Sequence, residues 1–203
     1  MTEGARIGAI ILAAGQSSRF RAADPSAPSK VVAPLAGKPL VRHVAEAALA
    51  ARLDPVIVVT GFAREHAEGA LPGLDVRLVH NPDHATGLAS SLRAGVAALP
   101  AGTEGAAILL ADMPKISAGL IGTLARIFQE NPHAAAVVPC LHGQRGNPVI
   151  IRASLFEDVA RLQGDVGARP LLQGRSDVIE VAISDESVAF DVDTPDALDE
   201  ARA

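Results

Sequence analysis

The chain has 203 residues, of which 49% are hydrophobic and 20% are charged, and its formal net charge at pH 7 is −5. This length and composition suit one well-packed domain, so we expect residues 1–203 to form a single domain. The acidic balance argues against a general nucleic-acid or anionic-membrane binder, because such proteins take most of their affinity from a basic face. The single cysteine excludes an internal disulfide.

The sequence shows no sign of export or membrane insertion. The N-terminus lacks a basic stretch followed by a long apolar run, and no apolar run approaches the ~18 residues of a membrane span. We therefore expect a cytoplasmic protein that does not contact membranes.

Apolar runs and helical periodicity predict strands that alternate with helices. Strands are predicted over 7–13, 55–60, 76–80, 106–111, 134–139, 148–151, 178–183 and 188–192. Helices are predicted over 39–52, 63–70, 88–99, 117–130, 153–162 and 165–173, and after Pro195. This alternation predicts an α/β fold, a Rossmann-like three-layer sandwich with a mostly parallel sheet. The short return through 143–151 predicts an antiparallel strand.

The first predicted strand opens into a loop of small residues that ends at Ser18. Gly15 lets a ligand approach the backbone, and the small side chains leave N–H groups accessible to phosphate oxygens. Arg19 and Lys30 would add positive charge. An ordinary corner between a strand and a loop explains the stretch equally well. The proline-containing segment 22–29 is predicted to be extended and mobile.

Carboxylates follow two later strands. Asp112 comes directly after the strand at 106–111, and strand alternation places Asp191 and Asp193 on one face of the last predicted strand. Ligands of parallel sheets bind beyond the carboxyl ends of the strands, and Mg²⁺ needs few protein carboxylates when it also binds phosphates. Asp112 is also explained as a turn residue before proline, and Asp193 as the N-cap of the last helix.

Further motifs occur in a fixed order along the chain. They are Leu12-Ala-Ala-Gly-x-Ser-x-Arg19, Lys30, Leu35-x-Gly37-Lys-Pro-Leu40, Asn81-Pro82, Gly87-Leu-x-Ser-Ser-Leu-Arg93-Ala-Gly95, Leu110-x-Asp112-x-Pro114, Gly146-x-Pro148, Gly164-Asp-x-Gly-Ala-Arg169 and Asp191-x-Asp193-Thr-Pro195. In this order they resemble the MobA-like nucleotidyltransferase family over nearly the whole chain. The branch they resemble is that of molybdenum cofactor cytidylyltransferase.

The resemblance implies Mg²⁺-dependent transfer of CMP from CTP to the terminal phosphate of Mo-molybdopterin, with release of pyrophosphate. A molybdoenzyme or its chaperone is the implied protein partner. Two other functions stay open. One is nucleotidyl transfer to another small phosphate, such as a sugar phosphate, and the other is a non-catalytic accessory role in molybdoenzyme maturation.

The resemblance also implies roles for individual residues. The implied catalytic residues are Arg19, Lys30 and Asp112, and the implied metal ligands are Asp112 with Asp191 or Asp193. The implied nucleotide-binding residues are Leu12, Ala13, Ala14, Gly15, Arg19, Lys30, Gly87, Leu88, Ser90 and Ser91. The implied contacts to the second substrate are Arg145, Asn147 and Arg169.

The chain departs from the family pattern at three places. Phe20-Arg21 stands where the family has Met-Gly, and the insertion 22–29 then precedes Lys30. Asn147 stands where this branch commonly has histidine. Ala14 stands where guanylyltransferase relatives tend to have glycine, which favours CTP as the nucleotide.

Overall fold

The structure is a computed structural model that describes residues 6–202. Within this range the chain forms ten strands and seven α-helices, in the order β1 (Ile7–Ala13), α1 (Ser18–Ala23), β2 (Pro34–Leu35), β3 (Lys38–Pro39), α2 (Leu40–Ala50), β4 (Val56–Thr60), α3 (Arg64–Gly69), β5 (Arg77–His80), α4 (Leu88–Ala97), β6 (Gly105–Leu110), α5 (Ala118–Glu130), β7 (Ala136–Leu141), β8 (Gln144–Arg145), β9 (Val149–Arg152), α6 (Phe156–Arg161), β10 (Val178–Ala182) and α7 (Pro195–Arg202). No helix in the described range is both long and apolar enough to cross a membrane.

The central sheet has the strand order β10-β7-β9-β6-β1-β4-β5, and β8 pairs with β7 beside this path. β1 lies parallel to β4 and β6, β4 lies parallel to β5, and β7 lies parallel to β10. β9 runs antiparallel to both of its neighbours, β6 and β7. The predicted α/β fold with a mostly parallel sheet and an antiparallel strand is therefore confirmed.

Helices cover both faces of the sheet because side chains of β1 alternate between two hydrophobic clusters. Ile11 belongs to the cluster that contains Val44 of α2 and Leu124 of α5. Its neighbour Ile10 belongs to the cluster that contains Leu92 of α4 and Val159 of α6. Every residue of β1 is buried, as expected for a central parallel strand covered on both sides.

A third, smaller cluster joins the beginning of the chain to its end. Phe20 of α1 packs in this cluster with Leu40 of α2, Val192 and Leu198 of α7. Ala27 packs against it, and Ser29 is fully buried. The prediction of an extended 22–29 segment is wrong at its start, because α1 continues to Ala23.

Two predicted elements are wrong, the strand over 188–192 and the helix over 165–173. No strand forms over 188–192, where a 3-10 turn over Glu186–Ala189 is followed by an extended segment. The backbone of this segment forms isolated hydrogen bonds instead of a strand ladder, such as that from Val192 N to the Asp112 carbonyl at 2.9 Å. The helix predicted over 165–173 is reduced to a 3-10 turn over Arg169–Leu172, because glycine and proline break the helical pattern.

Candidate nucleotide and metal site

A cleft of about 630 Å³, here called the main cleft, opens at the carboxyl ends of β1 and β6. The loop after β1 lines one side of it, and the start of α4 lines the other. Carboxylates approach from the end of β6 and from the segment before α7. Its lining includes Leu12, Ala14, Gly15, Arg19, Lys30, Gly87, Leu88, Ser91, Asp112 and Asp193.

Most of the predicted nucleotide-binding residues therefore lie around one cleft, and two do not line it. The side chain of Ala13 lies in the core on the α2 and α5 face of the sheet. Ser90 is buried behind the cleft, where its hydroxyl hydrogen-bonds to the carbonyls of Asp83 and Gly87 at 3.0 and 2.8 Å. Both residues still belong to the segments that form the cleft.

Ser17 connects the loop after β1 to Lys30 across the insertion. The Ser17 hydroxyl accepts a hydrogen bond from Lys30 N at 3.1 Å and lies 3.0 Å from the Ser29 hydroxyl. Ser17 has a φ of 54°, a left-handed conformation that turns the chain into α1. The insertion thus does not move Lys30 away from the cleft, because Ser17, which precedes α1, is hydrogen-bonded to Lys30 directly after the insertion.

The Lys30 ammonium lies between two of the predicted metal ligands. Lys30 Nζ is 2.6 Å from Asp112 Oδ2 and 2.5 Å from Asp193 Oδ1. Arg19 pairs with the other carboxylate oxygen of Asp193. The Lys30 and Asp112 side chains are only 14% and 16% exposed, so this contact is largely shielded from solvent.

These contacts shift the pKa values of the cluster in opposite directions. Burial disfavours the charged form of Lys30, but Asp112 and Asp193 outweigh it and raise the pKa of Lys30. Burial is likewise outweighed at Asp193, where the hydrogen bond and charge of Lys30, with Arg19, lower the pKa. At Asp191, burial and the negative charges of Asp193 and Asp112 raise the pKa.

The three aspartates fit a divalent cation. One carboxylate oxygen from each of Asp112, Asp191 and Asp193 lies within 4.8 Å of the others. Asp112 Oδ1 is buried and has no hydrogen-bond partner among the described residues, so it is an oxygen free to become a ligand. Carboxylate oxygens are the donors that Mg²⁺ and Mn²⁺ prefer.

The alternative role of Asp193 as a helix cap does not describe its contacts. Thr194 Oγ1 accepts a hydrogen bond from Ala197 N at 3.2 Å and so caps the start of α7. The Asp193 carboxylate contacts Lys30 and Arg19 instead.

The wall of the main cleft at α4 depends on a close contact between two loops. Gly87 has a φ of +111°, and a Cβ on it would lie 2.4 Å from the Gly164 carbonyl group. Ala89 N donates to the Gly164 carbonyl at 3.1 Å, and Leu88 N donates to the Asp165 carboxylate at 3.2 Å. Only glycine allows this approach, which places Asp165 in the lining of the main cleft.

A buried amide orients Ser91 in the same wall. The Asn81 side-chain amide donates to the hydroxyls of Ser90 and Ser91 at 2.8 and 3.0 Å. Asn81 is 3% exposed. Because Ser91 accepts from Asn81 and lines the main cleft, its hydroxyl proton can be donated to a bound ligand.

A second cleft of about 460 Å³, here called the side cleft, lies next to the main cleft. Leu110 lines both clefts, and Asp191 lines the side cleft while Asp112 and Asp193 line the main one. The aspartate cluster therefore lies where the two clefts meet.

The residues predicted for the second substrate have different positions. Arg145 and Asn147 line the side cleft. The Arg145 guanidinium is held by Glu180 Oε1 at 2.8 Å and by the Leu172 carbonyl at 2.9 Å. Arg169 is exposed on its 3-10 turn and lines neither cleft.

Asp165 and His84 are among the lining residues of the main cleft that the sequence did not assign to the nucleotide. Asp165 belongs to a motif expected on the second-substrate side. His84 also lines this cleft, and its Nδ1 is buried and lacks a hydrogen-bond partner among the described residues. The sequence feature that could have indicated Asp165 and His84 is the glycine-containing loop that follows α6 or β5, but such a loop does not specify the direction of its side chains.

The sequence profile of the MobA-like NTP transferase domain matches residues 9–179, which is most of the chain. The chain belongs to the MobA-like NTP transferase family. The resemblance expected from the motifs is thereby confirmed, and the main cleft is formed by segments of a nucleotidyltransferase domain.

Two relatives of this chain carry the names of different activities, one an oxidoreductase and the other a cytidylyltransferase. Nicotine blue oxidoreductase of Paenarthrobacter nicotinovorans is 32% identical over 192 residues, covering 91% of each chain. Molybdenum cofactor cytidylyltransferase of Escherichia coli K12 is 28% identical over 143 residues, covering 70% of each chain.

Two solved structures share the fold along nearly the whole chain. A nucleotidyl transferase from Methanothermobacter thermautotroptrophicus has a TM-score of 0.81 at 27% identity and covers 98% of this chain and 97% of its own. Rv0371c of Mycobacterium tuberculosis, in complex with manganese, has a TM-score of 0.76 at 28% identity and covers 97% of each chain.

Proposed function

We propose that the protein transfers CMP from CTP to the terminal phosphate of Mo-molybdopterin. An acceptor phosphate oxygen attacks the α-phosphorus of CTP, the bond between the α- and β-phosphates breaks, and pyrophosphate leaves. The observation that carries this proposal is the meeting of two clefts at a cluster of three aspartates beside Lys30 and Arg19. Such a transfer needs two bound phosphates held in line and compensation of the developing charge.

In this proposal the main cleft holds the nucleotide. The backbone of the loop after β1 faces the phosphates, and Arg19 and Lys30 stabilise the triphosphate and the leaving pyrophosphate. Ser91, oriented by Asn81, donates its proton toward the base or ribose. Gly87 and Leu88 border the same region.

Asp112 would hold Mg²⁺ together with Asp193 or Asp191. When bound there, the cation would neutralise charge on the reacting phosphates. The manganese complex of Rv0371c supports a divalent cation in a related fold. The positions of the carboxylates support this role, because Asp191 faces the side cleft and the other two face the main cleft.

The side cleft would hold the acceptor. Arg145 and Asn147 supply polar contacts, and Met113 and Val188 supply apolar surface for a heterocycle. Arg169 would contact the acceptor only through a larger part of it that extends beyond the side cleft. A molybdoenzyme or its chaperone would then receive the product.

The test measures pyrophosphate release with Mg²⁺, Mo-molybdopterin and each NTP in turn. We expect turnover with CTP, and we expect Asp112→Asn to reduce it by at least about a thousandfold, since metal stabilisation is worth several kcal/mol. Asp196→Asn is the matched control, because Asp196 is exposed on α7. Turnover with a different NTP would contradict the CTP assignment, and tight CTP binding without turnover would indicate an accessory role.

A second candidate is oxidoreduction of nicotine blue, the reaction in the name of the relative that matches 91% of each chain at 32% identity. The visible absorbance of nicotine blue, followed with NADH or NADPH as reductant, measures this reaction directly. Bleaching of the dye without pyrophosphate release from any NTP would replace the nucleotidyl-transfer proposal.

A further inference from the structure

Lys30 and Arg19 already engage three of the six carboxylate oxygens of the aspartate cluster. Lys30 Nζ contacts one oxygen of Asp112 and one of Asp193, at 2.6 and 2.5 Å. Arg19 contacts the second oxygen of Asp193. Asp112 Oδ1 remains buried without a hydrogen-bond partner within residues 6–202. The two cations expected to bind phosphates are therefore paired with the carboxylates expected to bind a metal.

This arrangement opposes the binding of either ligand alone. A divalent cation near these oxygens would lie within a few ångströms of the Lys30 ammonium, and like charges repel strongly in a partly buried site. A triphosphate without a metal ion would be repelled by three carboxylates, and the positive charges of Lys30 and Arg19 would already be neutralised by Asp112 and Asp193. Each ligand therefore pays for breaking the same contacts.

We propose that Lys30 is a stand-in for the divalent cation, and that it moves from Asp112 and Asp193 to the phosphates when nucleotide and cation bind together. The nucleotide part of this exchange rests on the function proposed above. In the exchange the carboxylates receive the cation, and the phosphates receive Lys30 and Arg19. Lys30, Arg19, Asp112 and Asp193 therefore have oppositely charged partners both before and after the exchange.

The exchange makes the two ligands bind cooperatively. Nucleotide that draws Lys30 away removes a competitor of the cation, and the cation that takes the carboxylates releases Lys30 for the phosphates. Linkage requires both effects to be equal in free energy. Removing the Lys30 charge should therefore tighten cation binding in the absence of nucleotide and weaken the cooperativity.

The test measures Mn²⁺ binding from the paramagnetic resonance signal of free Mn²⁺. Without nucleotide, we expect Lys30→Met to bind Mn²⁺ about tenfold or more tightly than the wild type, within the 5- to 150-fold range typical of coupled sites. Lys38→Met is the matched control, because Lys38 Nζ makes an equally short contact of 2.7 Å with Glu46 away from the main cleft. Its Mn²⁺ affinity should equal that of the wild type.

The second arm repeats the titrations with CTP, using protein-free mixtures to subtract the Mn²⁺ that CTP binds in solution. CTP should tighten Mn²⁺ binding to the wild type and to Lys38→Met by a larger factor than to Lys30→Met. Lys30→Gln replaces Lys30→Met if heat-induced unfolding shows that the latter is not folded. Unchanged or weaker Mn²⁺ binding by the folded Lys30 variant, without nucleotide, would overturn the proposal.

The outcomes separate this proposal from the proposed function. If Lys30→Met binds Mn²⁺ more tightly but the wild type transfers no CMP, Lys30 is still a competitor of the cation and the transferase assignment is rejected. CMP transfer by the wild type combined with no gain of Mn²⁺ affinity in Lys30→Met would reject only the exchange. Asp112→Asn should lower Mn²⁺ affinity in either case.

Discussion

At the scale of single residues, the site is a set of charges that compensate one another. Lys30 forms ion pairs with both Asp112 and Asp193, and these two carboxylates raise the pKa of Lys30. At Asp191, burial and the charges of Asp193 and Asp112 outweigh the opposing charge of Lys30 and raise the pKa. The ion pairs of Asp193 with Lys30 and Arg19 thus stabilise the fold only while Asp193 is ionised.

This dependence predicts acid sensitivity. Because Asp193 has a lowered pKa in the folded protein, its contribution is present above the ordinary pKa and is lost as pH falls through the folded pKa. We expect the free energy of unfolding of the wild type to fall relative to that of Lys30→Met as pH is lowered from about 5 to about 3. Urea denaturation across this range measures the difference, and a difference independent of pH would contradict the prediction.

Asn81 provides a second prediction at this scale. Asn81→Ala removes the two hydrogen bonds to Ser90 and Ser91, so we expect a loss of about 1–3 kcal/mol in stability and weaker CTP binding. Urea denaturation and CTP-induced thermal stabilisation measure the two effects. Asn131→Ala is the control, since Asn131 is exposed and its amide donates only to the Ile127 carbonyl, at 2.7 Å. Equal effects of the two substitutions would argue against a special role for Asn81.

At the scale of elements, the strands and main helices were predictable because their signals are local. The buried strand β1 was predicted with the boundaries that it has, and β9 was expected to be antiparallel from the short loop before it. The segment around Val188 was predicted as a strand because it is apolar. Its backbone instead bonds to Asn147 N and Asp112 O, which are distant in sequence.

In the candidate site, too, the positions with a local sequence signal were predictable and the contacts between distant residues were not. Asp112 could be placed because it follows a strand that is apolar throughout. The contact of Asp193 with Lys30 joins residues separated by 163 positions, and the contact of Gly87 with Gly164 joins two loops. Neither leaves a periodic pattern, so the direction of Asp165 toward the main cleft was not visible in the sequence.

The contact between those loops predicts the effect of a single methyl group. Gly87→Ala places a Cβ 2.4 Å from the Gly164 carbonyl and requires a positive φ, so we expect a loss of about 1–3 kcal/mol and weaker CTP binding. Gly122→Ala in α5 is the matched control, because no atom lies within 4 Å of its Cβ position. The control should gain up to about 1 kcal/mol, since alanine favours helices. Urea denaturation of both variants measures these changes.

At the scale of the whole molecule, a small cluster links the two ends of the described chain. Phe20, at 3% exposure, packs with Val192 and Leu198. Phe20 directly follows Arg19, and Val192 directly precedes Asp193. The cluster thereby fixes the distance between the segment that carries Arg19 and the segment that carries Asp193. Packing here supports the site although no member of the cluster lines the main cleft.

Phe20→Ala tests this link. We expect it to lower stability by about 3–5 kcal/mol and to weaken Mn²⁺ binding at temperatures where the protein remains folded. Phe156→Ala is the control that should lower stability without changing Mn²⁺ affinity, because Phe156 is partly buried and packs against the cluster on the α4 face. Thermal unfolding and Mn²⁺ titration measure the two quantities. An unchanged Mn²⁺ affinity in Phe20→Ala would contradict the linking role of the cluster.

Because Asp193 follows the last strand, the carboxylates of the cluster emerge at different stages of protein synthesis. All strands of the described sheet lie before residue 183, whereas Asp191 and Asp193 follow it. A nascent chain emerging from the ribosome therefore carries every strand of the sheet before it carries the second and third carboxylates of the cluster. Until those residues emerge, Asp112 is the one carboxylate of this cluster that the chain carries, so the set of three carboxylates is completed only after all strands of the described sheet have been synthesised.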